Sequence, residues 1–130
     1  MSDSIQLYSL ATPKWLLIQV GGIGPMFGQF GHFYKYGTKN CDHPYPLERY
    51  TTETERLLKV LDTRLENRTF LVGEQYTLAD MSIMPWIYAL NKNLNATDKL
   101  NLSSFKNVNS WMDRLLERPL TLKGMDVCKL

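Results

Sequence analysis

Three short stretches hold residue types that can do chemistry. Gly22-Ile-Gly24-Pro-Met-Phe-Gly28 follows an apolar run, and Asp42 stands further on. Glycines so spaced can seat a pyrophosphate on a helix N-terminus, with an acid about 20 residues later for the ribose. That chemistry requires a βαβ unit. Here His43-Pro-Tyr-Pro46 follows Asp42 where a second strand would end, so a nucleotide site is not expected. Cys41-Asp-His43, with His32 upstream, offers metal-ligand atoms. Zinc needs four ligands in a fixed frame, and no CxxC or HxxxH is present, so no metal is expected. No serine stands in a GxSxG setting. The residues alone present no convincing nucleophile and base.

The elements that would position such groups read as helices. Leu47, Tyr50, Thr54, Leu57, Leu58, Leu61 and Leu65 recur at steps of three and four, with Glu48, Glu55, Lys59, Asp62 and Arg64 opposite. That pattern predicts a helix over 46–66, with Pro46 in its first turn. Thr77-Leu-Ala-Asp80 is a capping box with Asp in the Glu position, flanked by Tyr76 and Met81 at the two staple positions. The helix it starts, from Leu78 to about Asn91, is apolar nearly all round, which predicts a central core helix kinked at Pro85. Residues 91–104 read as a polar loop, 105–117 as a helix stopped at Arg118-Pro119, and a short helix follows to about Val127. The segment 12–36 is ambiguous by periodicity. Pro13 near its start and the lack of any other good strand favour helix. Gly21, Gly24 and Gly28 would permit a kink and close helix approach. The expectation is an all-α bundle of five to six helices, with 1–11 as a leader and 12–130 as the domain.

The bulk numbers agree. The 130 residues suit one domain. A net charge of +2 predicts neither nucleic acid nor membrane as partner. No apolar run approaches the ~20 residues of a membrane span. Two cysteines, Cys41 and Cys128, are too few for a disulfide framework and suit free thiols in a reducing compartment. No secretory signal is apparent, so the sequons at Asn67, Asn95 and Asn101 read as chance.

Phe70-Leu-Val-Gly73, Thr77-Leu-Ala-Asp80 and Trp111-Met-Asp-Arg-Leu-Leu-Glu-Arg118-Pro119 resemble the C-terminal domain of glutathione transferases. Gln19-Val-Gly-Gly-Ile-Gly-Pro-Met26, Gly28-Gln29, His32-Phe33 and Glu48-Arg49-Tyr50-Thr-Thr-Glu53 resemble the nu-class, disulfide-reductase type and the related fungal nitrogen-regulator prion protein. The resemblance implies a cytoplasmic homodimer that uses glutathione as substrate. It assigns Arg49 to glutathione, and Met26, Phe30, His32 and Tyr50 to a co-substrate pocket. Phe30-Gly31 departs from the polar Asn-His frequent in relatives. The family's thiol-activating residue lies in a thioredoxin-like N-terminal domain, which is not among these 130 residues. The 130 residues are therefore expected to carry no catalytic residue and to be inactive unless that half is supplied, in trans if need be. Of the apolar residues on or near the helices that domain would cover, Trp15, Leu16, Ile18, Met26, Phe27, Phe30 and Phe33, a part is expected to be exposed. The alternative reading is a non-catalytic helical interaction module.

Overall fold

In the computed structural model the described residues are 3–127, with side chains described from Leu10 onward; Cys128 lies outside them. Helix α1 spans Asp3–Ile18 and runs through a π-helical turn, Gln19–Ile23, into α2, Gly24–Gly31. A second π-helical turn, His32–Tyr36, follows. Helix α3 is Tyr45–Leu65, and α4 is Leu78–Tyr88, extended by a third π-helical turn, Ala89–Asn93. A 3₁₀ turn, Leu102–Ser104, precedes α5, Lys106–Leu116, and α6 is Pro119–Asp126. No strand occurs among the described residues, as expected of an all-α bundle. Helical structure begins at Asp3, inside the stretch read as a leader. Pro13 therefore lies within α1 rather than at its start.

The π turns decide what the first helices bury. Trp15 and Ile23 are eight residues apart, which on a plain α-helix leaves them ~80° out of line. The extra residue taken up by a π turn brings them to within ~20°. Trp15, Ile23, Phe27 and Phe30 are all buried in the core with Leu58, Leu61, Ile83, Met84 and Trp111. Of the seven apolar residues expected to be exposed in part, Trp15, Phe27 and Phe30 are buried and Leu16, Ile18, Met26 and Phe33 are half-buried. The side chains left outside are Leu10, Leu17 and Val20.

Two aspartates fasten helix ends across the chain. Asp80 completes the capping box: its Oδ2 accepts from the Thr77 N–H at 3.0 Å, while Thr77 Oγ1 accepts from the Ala79 N–H at 3.2 Å. Its other oxygen accepts from the Leu71 N–H at 3.0 Å and from Trp111 Nε1 at 2.9 Å. Asp62, near the end of α3, accepts from the N–H groups of Asn107 and Val108 at 2.9 and 3.2 Å, capping α5 from 45 residues away. The staple reads differently. Tyr76 lies between the Phe70 ring, 6.1 Å away, and the Arg118 guanidinium, 4.1 Å away, and Met81 is 44% exposed.

The polar stretch after α4 is pinned by Leu94, Ala96, Leu100 and Leu102, all buried. Asn67, Asn95 and Asn101 have φ of 55°, 52° and 46°. Asparagine tolerates the left-handed region better than other side chains. Turn chemistry thus accounts for the asparagine of each of the three sequons.

Asp80→Ala should lower the unfolding free energy by about 3–5 kcal/mol, because it strands several buried donors at once. Trp111→Phe strands no donor; it removes one bond to the carboxylate and some buried ring volume, and should cost less, about 2–3 kcal/mol. Urea titration measures both; equal losses would contradict the shared-acceptor account.

Candidate functional site

The start of α3 is set by a loop side chain. His43 Nδ1 accepts from the Tyr45 N–H at 3.2 Å, and the Cys41 thiol donates to the His43 carbonyl at 3.7 Å. Both residues are thereby engaged in shaping the turn that leads into the helix. Among the described residues no group of three or more His, Cys, Asp or Glu side chains is arranged to hold a metal ion.

One turn into α3, Arg49 and Arg56 compete for Glu53. Arg56 takes the carboxylate in a two-pronged fork, at 2.9 and 2.7 Å, while Arg49 stays 3.8 Å away with half its side chain exposed. The Arg56 hydrogen bonds, above all, hold the Glu53 carboxyl below the usual carboxylate range. Partial burial works against them, and the charges of Arg56 and then Arg49 add to the lowering. The same fork raises the guanidinium of Arg56. Arg49 is therefore the less committed cation of the two.

Tyr50, the next residue, stacks on Phe33 with ring centres 5.6 Å apart and planes within 10°. His32 meets the other side of the chain of rings, edge-on to Phe33 at 5.0 Å. Of the four residues assigned to a co-substrate pocket, His32 and Tyr50 are thus brought together through Phe33. Met26 is half-buried against the core. Phe30 is fully buried, stacked on Tyr34 at 5.1 Å. As placed here it fills the core rather than an open cleft.

The sequence reading missed Trp86. Gly24 and Gly28 present a side of α2 without side chains to that indole. A Cβ built on Gly24 would come within 3.3 Å of the Trp86 ring and within 3.2 Å of the Gln19 carbonyl oxygen. The result is an open trough of about 510 Å³, edged by Gln19, Gln29 and His32 with Pro25 and Trp86 among its lining. Glycines four apart on one helix, opposite a tryptophan on another, were the available signal. Gly21, grouped with them from sequence, has no atom within 4 Å of an added Cβ.

Comparison with known proteins bears on this arrangement. Residues 32–119 match the family described as glutathione S-transferase, C-terminal domain. The chain is 41% identical over 111 residues to the disulfide-bond oxidoreductase YfcG of Escherichia coli (strain K12), covering 85% of this chain and 48% of that protein. Among solved structures it is similar to a glutathione transferase from Pseudomonas putida with one glutathione disulfide bound per subunit. The TM-score is 0.89 at 39% identity, over 99% of this chain and 55% of the other. It is also similar to Ure2p in complex with glutathione, with a TM-score of 0.77 at 28% identity, over 95% of this chain and 55% of that one. The chain thus spans about half the length of the proteins it matches.

Two measurements follow from the geometry. Because the Glu53 carboxyl is depressed, its stabilising contribution is fully present above the ordinary value of 4.5 and is lost as pH falls through the lower folded value. Wild type should lose stability on acidification more steeply than Glu53→Gln in that window; parallel acid-unfolding curves would refute the pairing. Gly24→Ala should destabilise by about 1–3 kcal/mol through overpacking. Gly21→Ala should stabilise by about 0.5–1 kcal/mol through helix propensity alone. Thermal melts that fail to separate the two in sign would remove the close approach to Trp86.

Proposed function

The chain belongs to the glutathione S-transferase C-terminal domain family, and on that premise we propose that it forms the helical half of a glutathione-dependent disulfide reductase or transferase. The observation that carries this reading is Arg49. It is half-exposed on the first turns of α3, beside the Tyr50–Phe33 stack, and its neighbour Glu53 is already held by Arg56. A guanidinium in that condition can clamp a carboxylate of glutathione with little to give up. The trough over Trp86, with the amides of Gln19 and Gln29 and the His32 ring at its edge, suits the face presented to a co-substrate.

Reduction also needs a glutathione thiolate. Lowering a thiol pKa takes a hydrogen-bond donor aimed at sulfur, and an arginine clamp at the far end of a tripeptide does not supply it. A thioredoxin-like domain, in the same polypeptide or a separate one, provides that step, in the cytoplasm, where glutathione is kept reduced.

The subunit contact falls on the outer side of the first helices. Leu17 is 72% exposed and Val20 65%, and with Val60 they flank an apolar groove edged by Lys14 and Arg56. A self-complementary patch of this kind closes as a two-fold dimer. No described helix is long and apolar enough to cross a membrane.

In a chain that joins this domain to a thioredoxin-like half, Arg49→Ala should cut kcat/KM for glutathione-dependent reduction of a model disulfide about tenfold or more, mostly through KM for glutathione. Unchanged kinetics would leave Arg49 as a solvated helix charge. The 130-residue chain alone should show negligible turnover. Sedimentation should find it as a dimer that Leu17→Glu converts to monomer. A wild-type monomer at micromolar concentration would remove the contact.

A further inference from the structure

The π-helical turn after α2 ends on a glycine that its backbone does not require. Gly37 is buried, and its φ is −103°, outside the left-handed region that favours glycine. What excludes a side chain there is the His32 imidazole. A Cβ built on Gly37 would overlap His32 Nε2 and come within 2.8 Å of both Cδ2 and Cε1. An atom in the ring plane beyond Nε2 would stand farther from both flanking carbons. Gly37 therefore lies over the ring face at Nε2 and leaves the in-plane direction of that nitrogen clear of itself. The π turn His32–Tyr36 makes this approach. Its closing bond runs from the Gly37 N–H to the His32 carbonyl at 2.6 Å, a return of five residues.

We infer that Gly37 is a positioning residue for the co-substrate face: by leaving room for the His32 imidazole, it holds that ring at the rim of the trough over Trp86. The His32 side chain is exposed, and no hydrogen bond or ion pair with another described residue orients it. Packing alone sets its place. One contact is the bare Cα of Gly37, and the other is Phe33, edge-on with ring centres 5.0 Å apart. Phe33 in turn stacks on Tyr50, the residue after Arg49. One packed series thus runs from the glycine to the helix that carries the clamp. An imidazole held in this way presents Nε2 to a hydrogen-bonding group of a disulfide co-substrate. A ring free to rotate would have to be ordered at the moment of binding, at a cost in affinity. The role rests on the reading of the trough as the co-substrate face; the packing of the ring on the glycine does not.

The test has a spectroscopic and a kinetic arm. The chain has two histidines, so a carbon–proton NMR spectrum of its imidazoles separates His32 from His43, whose ring is engaged by the Tyr45 N–H. Wild type should show nuclear Overhauser contacts between the His32 ring protons and the Gly37 α protons. Gly37→Ala should abolish them and shift both His32 signals while those of His43 stay in place. If Gly37→Ala also lowers thermal stability, His32→Ala should restore it, because removal of the ring gives the new methyl its room. In the two-domain chain, Gly37→Ala should raise KM for a model disulfide about fivefold, as should His32→Ala, with kcat and KM for glutathione little changed. The double variant should match His32→Ala alone. A wild-type spectrum without the ring–glycine contact, or His32 signals unmoved by Gly37→Ala, would overturn the inference. So would a rise in KM with His32→Ala but not with Gly37→Ala, which leaves the co-substrate reading standing. Unchanged KM in both single variants would remove His32 from the co-substrate face and the inference with it.

Discussion

One buried carboxylate organises the bundle. Asp80 has no exposed surface, and its two oxygens receive donors from three separate parts of the chain. The Thr77 N–H fixes the start of α4, the Leu71 N–H holds the incoming loop against that start, and the Trp111 indole brings α5 onto the same point. A buried carboxylate is costly unless its lone pairs are occupied. The geometry in which all these donors reach it at once is the native one, so the penalty for any partial arrangement becomes a source of specificity. Trp111, the largest fully buried side chain, is thereby oriented by a polar contact inside an otherwise apolar core.

Elements with a local signal were legible in the sequence. The stripe from Leu47 to Leu65 predicted α3 to within a residue, and Thr77 and Asp80 announced α4 through a bond that spans only three residues. Features made by partners distant in sequence were not legible. Asp62 reads as a surface charge on α3, and only the docking of α5 turns it into a cap. The π turns were not legible in the first helices: one additional residue rotates every later side chain, and it brings Ile23, Phe27 and Phe30 onto the buried side with Trp15. Arg49 was found through a motif; its availability depends on Arg56, seven residues on, which no motif records.

On the proposed function, a helical half contributes to thiol chemistry without handling the thiol. Its groups are fixed by stacking and ion pairing on α3 and by backbone contact over Trp86. Binding and orientation of a charged tripeptide use such rigid elements well. Activation of sulfur needs a donor placed on the opposite side of the ligand, which a second domain can offer across a cleft. On that reading, the division would let the co-substrate face vary while the thiolate site remained unchanged.

The Asp62 cap on α5 has a kinetic side. Helix α5 has only eleven residues, and isolated helices of that length are marginal in water. Its first amides find their acceptor on α3, across 45 residues of chain that include all of α4. The amides of Asn107 and Val108 therefore keep their hydrogens only while α3 and α5 remain docked. Local fraying of α5 would have to break a tertiary bond before a helical one. In hydrogen exchange these two positions belong with the slow, globally opening class, although they sit at a helix end, where exchange is ordinarily fast.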